Sequence, residues 1–384
     1  MKQNSHIPGG HLLSSTHDSI IECGEYVRNG HLVAFPTETV YGLGANAFDE
    51  KAVLRIFEAK QRPLTDPVIV HVFDSDHALE LIKVSDKVKR LYLHLAKHFW
   101  PGPLTLVAPY NPDKIPLCIT ANTGSVGVRV PNHKIALELL VQAKVPIAAP
   151  SANRFGHVSP TCSTHVLEDL GNTPFPIFII KEDGQSVCEI GIESTVAKLE
   201  ETTDGVNILV LRRGGVSIEQ ISKSLVDAHD LKGILVQVMS NPKTRSVQNT
   251  TQHGQVSPGL MLTHYAPDVP AYLIDQHLEQ QENANAIDLN KCVLIDFQSK
   301  HIHLKNDFLS YMDLSPSGDI YEARNSVFEM LRLSEKVEGA QAVMLPNLQN
   351  VEVEHADSLF DRLYRAASGN YAKIQNKQLL VSKS

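Results

Sequence analysis

The feature that most constrains the fold is the alternation of short apolar segments with helix-like segments from about residue 20 to residue 215. The segment HLVAF at 31–35 predicts a buried strand that stops at Pro36, and DPVIVHV at 66–72 predicts another. Between them, Asp49 precedes apolar residues at helical spacing, which predicts an N-cap and a helix that runs to Ala59. This order predicts an α/β domain in which helices and strands share one core.

The same pattern continues with a helix capped by Ser85 and with five more strand-like segments. These segments are LTLVA, SVGVRV, VPIAAP, PIFII and STVAKL. Residues 241–259 are polar and lack large apolar side chains, which is typical of a linker. Beyond it, further strand and helix patterns predict a second, smaller α/β unit. They are VPAYLID, CVLIDF, a helix over 319–335, AQAVMLP and a helix over 359–367.

A chain of 384 residues is long enough for two separate cores. We expect a first domain over 1–222, a connecting segment with a lid-like linker over 223–268, and an accessory domain over 269–384.

Charge and cysteine usage exclude several classes. The balance of 35 basic against 43 acidic residues leaves no overall basic field for a generic nucleic-acid binder. The five cysteines are scattered without a CxxC pair, which favours reduced thiols and disfavours a zinc site. No apolar run is long enough to cross a bilayer, and the N-terminus lacks a secretory pattern. We therefore expect a cytoplasmic protein.

The glycine-containing stretch Gly42–Ala47 fits a GxGxxA dinucleotide loop by spacing alone. Six residues, PTETVY, separate it from the preceding strand, whereas the dinucleotide turn follows its strand directly. The GxxxxGK[ST], HExxH and GxSxG motifs are absent from the sequence, which disfavours a P-loop ATPase, a zincin and an α/β-hydrolase.

Small polar and cationic residues recur where predicted strands begin or end. The segments are Thr37–Thr39, Ser151–Asn153, Ser159–Thr161, Glu193–Thr195 and Arg212–Gly215. Each alone is ordinary turn chemistry, but together they predict a polar cavity at one edge of the sheet.

Three cationic positions have both a structural and a functional interpretation. Lys60 and Arg62 follow a predicted helix, where they either complement its dipole or clamp a polyphosphate. Arg129 interrupts an apolar strand, and a buried guanidinium requires an anionic partner. His71 is either a core histidine or a ligand. No nucleophile and general-base pair emerges, which fits phosphoryl or nucleotidyl transfer better than hydrolysis.

Seven segments of the first domain, in combination, closely resemble the YrdC-like domain family. They are FPTETVYGLGANA (35–47), AKQRPLTDPVIVHV (59–72), WPGPLTLV (100–107), VGVRVPNH (126–133), APSANRFGHVSPT (149–161), GIESTV (191–196) and LRRGG (211–215). Later segments, SPGLMLTHYAP (257–267) and DRLYRAASG (361–369), are similar to the long threonylcarbamoyl-AMP synthases of that family, which carry a C-terminal accessory domain.

The resemblance implies a twisted mixed sheet followed by a smaller Rossmann-like domain. It implies synthesis of L-threonylcarbamoyladenylate and pyrophosphate from L-threonine, bicarbonate or CO2, and ATP accompanied by Mg²⁺. A separate complex then uses the product to form N6-threonylcarbamoyladenosine in tRNAs reading ANN codons. The two closest alternatives are a double-stranded RNA-binding module and a carbamoyl-transfer enzyme.

The resemblance also assigns residues by motif. The threonine side would be held by Thr39, His71, Arg129, Ser151 and Ser194. The ATP side would be lined by Arg62, Asp66, Ser125, Asn153, Ser159, Arg212 and Tyr265. Lys60 and Arg62 would act in catalysis by neutralising phosphate charge, and the linker would bring His264 and Tyr265 near the nucleotide. No metal ligand of the protein is implied. Asp66 and Arg213 depart from the Asn and Pro common in the family.

Overall fold

The computed structural model divides into two compact units. The described residues are 8–182, 184, 188–240, 254–255, 257–259, 261–278 and 285–381. The first unit draws its residues from 1–155, 160–189 and 193–260, and the second from 156–159, 190–192 and 261–384. Most of the predicted linker, residues 241–253, lies outside the described residues.

The helices of the first unit mostly begin at side chains that accept hydrogen bonds from the first turn. They are α1 (His17–Arg28), α2 (Glu50–Lys60), α3 (Ser75–Glu80), α4 (Asp86–Phe99), α5 (Lys134–Ala143), α6 (Ser163–Leu170) and α7 (Ile218–Ser224). Both predicted caps are confirmed: Asp49 accepts from the amides of Lys51 and Ala52, and Ser85 accepts from that of Val88. Among the described residues, every helix is too short or too polar to cross a membrane.

The first unit is built on one mixed sheet of eleven strands. They are β1 (Gly9–Leu13), β2 (Leu32–Phe35), β3 (Gly42–Asn46), β4 (Val70–His71), β5 (Leu104–Pro109), β6 (Ser125–Arg129), β7 (Ile147–Ala148), β8 (Pro176–Ile180), β9 (Thr195–Glu201), β10 (Gly205–Arg212) and β11 (Leu235–Ser240). Their order across the sheet is β1-β8-β2-β3-β7-β4-β6-β5-β9-β10-β11. The predicted mixed α/β architecture is therefore confirmed.

The segment 66–72 differs from its prediction, whereas the glycine stretch 42–47 agrees with the argument against a dinucleotide loop. Only Val70–His71 of the segment 66–72 is a strand, because the backbone carbonyls of Asp66 and Pro67 accept hydrogen bonds from Arg62 instead of a neighbouring strand. The glycines near 42 form β3, which pairs antiparallel with β2. A Cβ on Gly44 would lie 2.7 Å from Ile147 Cγ2, so this glycine permits close strand packing rather than a phosphate turn.

The sheet carries helices on both faces. Helices α1 and α5 pack with apolar side chains of β2, β7 and β8, including Phe35, Ile147 and Phe178. The opposite face packs against α2, α4, α6 and α7 in the main core. Over β5, β9 and β10, the first face carries a small apolar cluster made by Val107, Val196 and Leu211. Buried polar residues described below, among them His71 and Arg129, lie on that same face.

The first unit extends beyond the domain boundary expected at residue 222. Strand β11 pairs in parallel with β10, from Gly205 opposite Leu235 to Val210 opposite Ser240. Residues 223–240 therefore add to the sheet, because an alternating strand at an open edge satisfies its backbone by pairing. Residues 254–255 and 257–259 also cluster with the first unit.

The second unit is a smaller α/β structure with a seven-stranded sheet. Its strands are β12 (Ala271–Ile274), β13 (Asn285–Asp288), β14 (Cys292–Asp296), β15 (Ser310–Asp313), β16 (Ala342–Leu345), β17 (Tyr371–Gln375) and β18 (Gln378–Val381), and its helices are α8 (Ile320–Glu335) and α9 (Ala356–Ala366). The order is β13-β18-β17-β12-β16-β14-β15, and β17, β12, β16, β14 and β15 are parallel. The predicted strands and helices of this region are confirmed.

Candidate functional site

The candidate site is formed by side chains on the face of β6 and its neighbours that points away from the main core. Alternation along β6 directs Val126 and Val128 into the main core, which leaves Ser125, Gly127 and Arg129 on the other face. Register then aligns one residue from each of three strands. His71 of β4 lies opposite both Ile147 of β7 and Arg129 of β6. Sheet geometry therefore brings His71 and Arg129 side by side.

Arg129 is buried, with 3% of its surface exposed. Its Nε donates to the carbonyl of Gly102 at 3.1 Å, and its Nη1 donates to Thr39 Oγ1 at 3.0 Å. Its Nη2 lies 2.6 Å from Glu38 Oε2. Glu38 is therefore the anionic partner that a buried guanidinium requires.

The turn between β2 and β3 is held by hydroxyl groups. Thr37 Oγ1 accepts from the amides of Thr39 and Val40 and donates to the carbonyl of Val40 at 2.7 Å. The Thr37 hydroxyl proton is therefore already donated to the Val40 carbonyl. In the 2.8 Å hydrogen bond between the two threonine hydroxyls, Thr39 Oγ1 is then the donor and Thr37 Oγ1 the acceptor. A continuous chain of donors thus runs from Arg129 through Thr39 to Thr37.

His71 is buried next to the Arg129 guanidinium and is neutral. Burial, and secondly the charge of Arg129, lower the pKa of His71 to about 3. Its ring meets Phe35 edge to face at a centroid distance of 6.0 Å. Its Nδ1 has no hydrogen-bond partner among the described residues, so a neutral polar atom is available in the cluster.

A second group of polar residues lies where β9 begins and β10 ends. Ser194 Oγ is 2.8 Å from Thr105 Oγ1, and Arg212 donates from Nη2 to the Ser194 carbonyl at 3.0 Å and to its Oγ at 3.1 Å. An irregularity in the pairing of β10 with β9 between Val210 and Arg212 redirects the arginine. Arg212 Nη1 also donates to the carbonyl of Pro258 at 3.3 Å. A short piece of the segment before the second unit therefore lies at this edge of the site.

Lys60, the last residue of α2, is bound by the loop after β7. Its Nζ donates to the carbonyl of Ser151 at 2.7 Å, to the carbonyl of Asn153, and to Asn153 Oδ1 at 3.5 Å. Burial, then the charge of Arg62, lowers the pKa of Lys60 well below its ordinary value. Three acceptors match the three N–H groups of an ammonium, so Lys60 fixes the position of the Ser151–Asn153 loop.

Arg62 and Asp66 form a buried ion pair four residues apart. Arg62 Nη2 lies 3.0 Å from Asp66 Oδ2, and Arg62 also donates to the carbonyls of Asp66 at 3.1 Å and Pro67 at 2.7 Å. Burial raises the pKa of Asp66, and the charges of Arg62, Lys60 and Arg212 only partly oppose this shift. The Phe155 ring centroid is 5.9 Å from the guanidinium carbon. This corner of the site concentrates positive charge around one carboxyl group.

The Ser151–Asn153 loop completes this corner. Ser151 Oγ donates to Asn153 Oδ1 at 2.6 Å, and Asn153 Nδ2 donates to the carbonyl of Arg154 at 2.8 Å. Backbone hydrogen bonds attach the loop to β3 and its approach, with Leu43 donating to Pro150 and Ala152 donating to Tyr41. A rigid loop therefore carries both predicted residues.

Two family models match consecutive parts of this chain. A family model described as "Telomere recombination" matches residues 25–214, and one described as "Threonylcarbamoyl-AMP synthase, C-terminal domain" matches residues 216–368. A curated threonylcarbamoyl-AMP synthase of Bacillus subtilis is 40% identical over 276 residues, which cover 70% of this chain and 72% of that protein. The chain belongs to the threonylcarbamoyl-AMP synthase family.

Two comparisons with a second relative support the same family. The threonylcarbamoyl-AMP synthase of Pyrococcus abyssi is 41% identical over 250 residues, which span 65% of this chain and 66% of that protein. A crystal structure of Pyrococcus abyssi Sua5 complexed with L-threonine covers 95% of this chain and 99% of that chain. Its TM-score is 0.75 at 31% identity. The similarity therefore extends over both units.

The structure gathers most, but not all, of the residues that the family resemblance assigned. Thr39, His71 and Arg129 are in one cluster, and Ser194 and Arg212 are in a second. A third group is made by Lys60, Arg62, Asp66, Ser151 and Asn153. Ser125 lies at the opposite end of β6 from Arg129, about 13 Å away along the strand. Ser159 and Tyr265 belong to the second unit. The threonine and ATP contacts of all the assigned residues stay predictions.

Tyr265 is packed within the second unit. It is 1% exposed, with its ring 5.4 Å from that of Phe328 and 5.3 Å from the guanidinium carbon of Arg362. Its φ of 62° is left-handed, so the backbone turns sharply after His264. The sequence showed only its position in HYAP and gave no sign of this packing.

Sequence reasoning missed Glu38 and Thr105 as members of the site. Thr105 reads as one polar residue inside an apolar strand, and only its contact with Ser194 gives it a place here. Glu38 lies between two threonines in PTET. The requirement of a buried Arg129 for an anionic partner was the one signal that could have pointed to it.

Proposed function

We propose that the protein condenses L-threonine, bicarbonate or CO2, and ATP into L-threonylcarbamoyladenylate and pyrophosphate. The product would be passed to a separate complex in the cytoplasm that modifies tRNAs reading ANN codons. The observation that carries the proposal is the buried Arg129 cluster in a member of this family. A desolvated guanidinium, here beside a hydroxyl group, a neutral histidine and the Glu38 carboxylate, is suited to binding an amino-acid carboxylate.

On the threonine side, Arg129 would bind the substrate carboxylate. Neutral His71 would offer Nδ1 to the threonine hydroxyl, since neutral imidazole adds no charge beside the guanidinium. Thr39, Ser151 and Ser194 would supply the remaining hydrogen bonds. A low-dielectric pocket of this kind strengthens each of these interactions.

On the nucleotide side, Arg62 and Arg212 would neutralise charge on ATP, which would bind with Mg²⁺ held mainly by substrate oxygens and water. Asn153, Ser125, Ser159 and Tyr265 would contribute further contacts. The raised pKa of Asp66 makes its carboxyl group easier to protonate, which would reduce its repulsion of phosphate. Lys60 would act in catalysis chiefly by holding the Ser151–Asn153 loop in place.

The reaction would proceed without a protein nucleophile. The threonine ammonium would first lose a proton, and the free amine would take up CO2 to form a carbamate with release of a second proton. A carbamate oxygen would then attack the α-phosphorus in line with departing pyrophosphate. Positioning and charge neutralisation supply most of the catalysis in such transfers. Water would have to be excluded, because it destroys both the carbamate and the mixed anhydride.

The test is pyrophosphate release by the full-length protein with ATP, Mg²⁺, L-threonine and bicarbonate, with each component omitted in turn. We expect release only when all are present, together with threonylcarbamoyladenylate detected by mass spectrometry. Equal release without threonine, or none with the complete mixture, would contradict the proposal.

A further inference from the structure

Glu38 is a buried carboxylate whose hydrogen-bonding capacity is unused. It is 4% exposed, and neither of its carboxylate oxygens accepts an aligned hydrogen bond from a described residue. Its contact with Arg129 Nη2 at 2.6 Å supplies charge compensation without an aligned hydrogen bond. Glu38 also lies near the Cys188 thiol, whose pKa is raised by burial and then by the charge of Glu38, so that the thiol stays neutral. Such a carboxylate is costly unless a donor reaches it.

The charges of this pair are complementary to an α-amino acid head group. Arg129 is a cation suited to a carboxylate, and Glu38 is an anion suited to an ammonium with three N–H donors. The two groups are adjacent, as the carboxylate and ammonium of an amino acid are adjacent on one carbon. We propose that Glu38 binds the α-ammonium group of the amino-acid substrate while Arg129 binds its carboxylate. This inference rests on the proposed function.

A competing role is that Glu38 occupies the place of the substrate carboxylate and must leave before substrate binds. The turn argues against it, because Thr37 Oγ1 accepts from both Thr39 and Val40 amides and holds the backbone on one side of Glu38 in place. A substrate carboxylate at Arg129 would then meet a second carboxylate that stays nearby. The substrate's own ammonium relieves that repulsion, whereas an acid without an amine leaves it uncompensated.

This arrangement makes Glu38 a specificity residue for the amine. It would orient the nitrogen that takes up CO2, and it would reject hydroxy acids that share the carboxylate and the side chain of threonine but lack nitrogen. The two roles predict opposite effects of removing the charge. Loss of an ammonium ligand weakens threonine binding, and loss of a competing carboxylate strengthens it.

The experiment measures binding by calorimetry of L-threonine, of 3-hydroxybutanoate (which lacks the amine) and of L-threoninol (which lacks the carboxylate). The full-length wild type is compared with Glu38→Gln. Glu182→Gln is the matched control, because Glu182 is a partly buried carboxylate of the same unit that already accepts from Tyr41 and Ser163. Thermal unfolding of each variant reports on folding.

We expect Glu38→Gln to weaken binding of L-threonine and L-threoninol by roughly 10- to 100-fold, as for a hydrogen bond to a charged group. Binding of 3-hydroxybutanoate should stay the same or become tighter, and Glu182→Gln should change none of the three. Should Glu38→Gln unfold, Glu38→Asp keeps the charge on a shorter side chain. This variant should bind threonine more weakly than the wild type does, while it still discriminates against 3-hydroxybutanoate.

Three results would overturn the inference. Unchanged or tighter threonine binding by Glu38→Gln would identify a competing carboxylate. Equal weakening of threonine and 3-hydroxybutanoate would identify a structural support for Arg129. Both results leave the proposed function standing, whereas a wild type that binds no threonine at all would overturn the proposed function and the inference together.

Discussion

The first unit contains two buried arginine–carboxylate pairs that are built in different ways. Arg62 and Asp66 are four residues apart, and the same arginine is also held by the backbone carbonyls of Asp66 and Pro67. Arg129 and Glu38 are 91 residues apart in sequence and meet only because β6 and the β2–β3 turn converge. The first pair is fixed by its own segment, while the second depends on the sheet. Removing one partner should therefore have different consequences in the two places.

The largest effect is expected for Arg129→Ala. It leaves Glu38 buried without its cation, which should lower the free energy of unfolding by about 3–5 kcal/mol. It should also abolish threonine-dependent pyrophosphate release. Chemical denaturation and the pyrophosphate assay measure the two effects, with Arg90→Ala, whose side chain is exposed, as the control. Adding Glu38→Gln should restore part of the stability, and failure to do so would show that the pair is not coupled.

The next effect concerns Lys60. Its substitution tests whether the nucleotide side depends on tertiary contacts as much as the Arg129–Glu38 pair does. Lys60→Met removes the Nζ donors to the carbonyls of Ser151 and Asn153, so it should cost about 1–3 kcal/mol of stability through unsatisfied buried carbonyls. The rate of pyrophosphate release should fall in parallel, while exposed Lys83→Met should change neither. A large loss of ATP affinity with unchanged thermal stability would instead identify Lys60 as a direct phosphate ligand.

A smaller effect is expected for Asp66→Asn, which introduces the residue common in the family. Because the folded pKa of Asp66 is raised, the folded state binds more protons than the unfolded state above pH 3.8, and this carboxyl lowers stability as pH rises through its folded pKa. The variant should remove this pH dependence of stability. It should bind ATP as tightly as the wild type does, or a few-fold more tightly. Calorimetry with a non-hydrolysable ATP analogue, with exposed Asp113→Asn as control, measures it. Much weaker ATP binding would show that the carboxylate serves the nucleotide.

The smallest effect is a predicted absence of titration by His71. With a folded pKa of about 3, His71 is neutral near pH 6.5, so threonine affinity should change less than about twofold between pH 5.5 and 8. For folding, the unfolded state binds the extra proton, so His71 reduces stability progressively as pH falls from 6.5 toward 3. Calorimetry across pH checks the threonine affinity. In the variant His71→Gln, the loss of stability with falling pH should become smaller. A threonine affinity that titrates near pH 6.5 would contradict this assignment.

Local patterns predicted much of the fold and part of the site. The caps Asp49 and Ser85, the helices that follow them, and the more apolar strands of both units were readable because each depends on neighbours in sequence. The strands β1, β11, β13, β15, β17 and β18 were not expected. Arg62 was readable as a functional candidate because it lies with Lys60 at a helix end. The shortness of β4 could not be predicted from the sequence, because it depends on hydrogen bonds that Arg62 donates to the carbonyls of Asp66 and Pro67.

The sequence by itself determined many of the helices and strands, the caps of two helices, and that Arg129 requires an anion. Tertiary structure decided which anion. Register placed His71 opposite Arg129, the β2–β3 turn delivered Glu38 to the same guanidinium, and α2 brought Lys60 to loop carbonyls more than 90 residues away. The physical reason is that periodicity and capping act over a few residues, whereas burial of charge is satisfied by whichever group the packed sheet brings within reach.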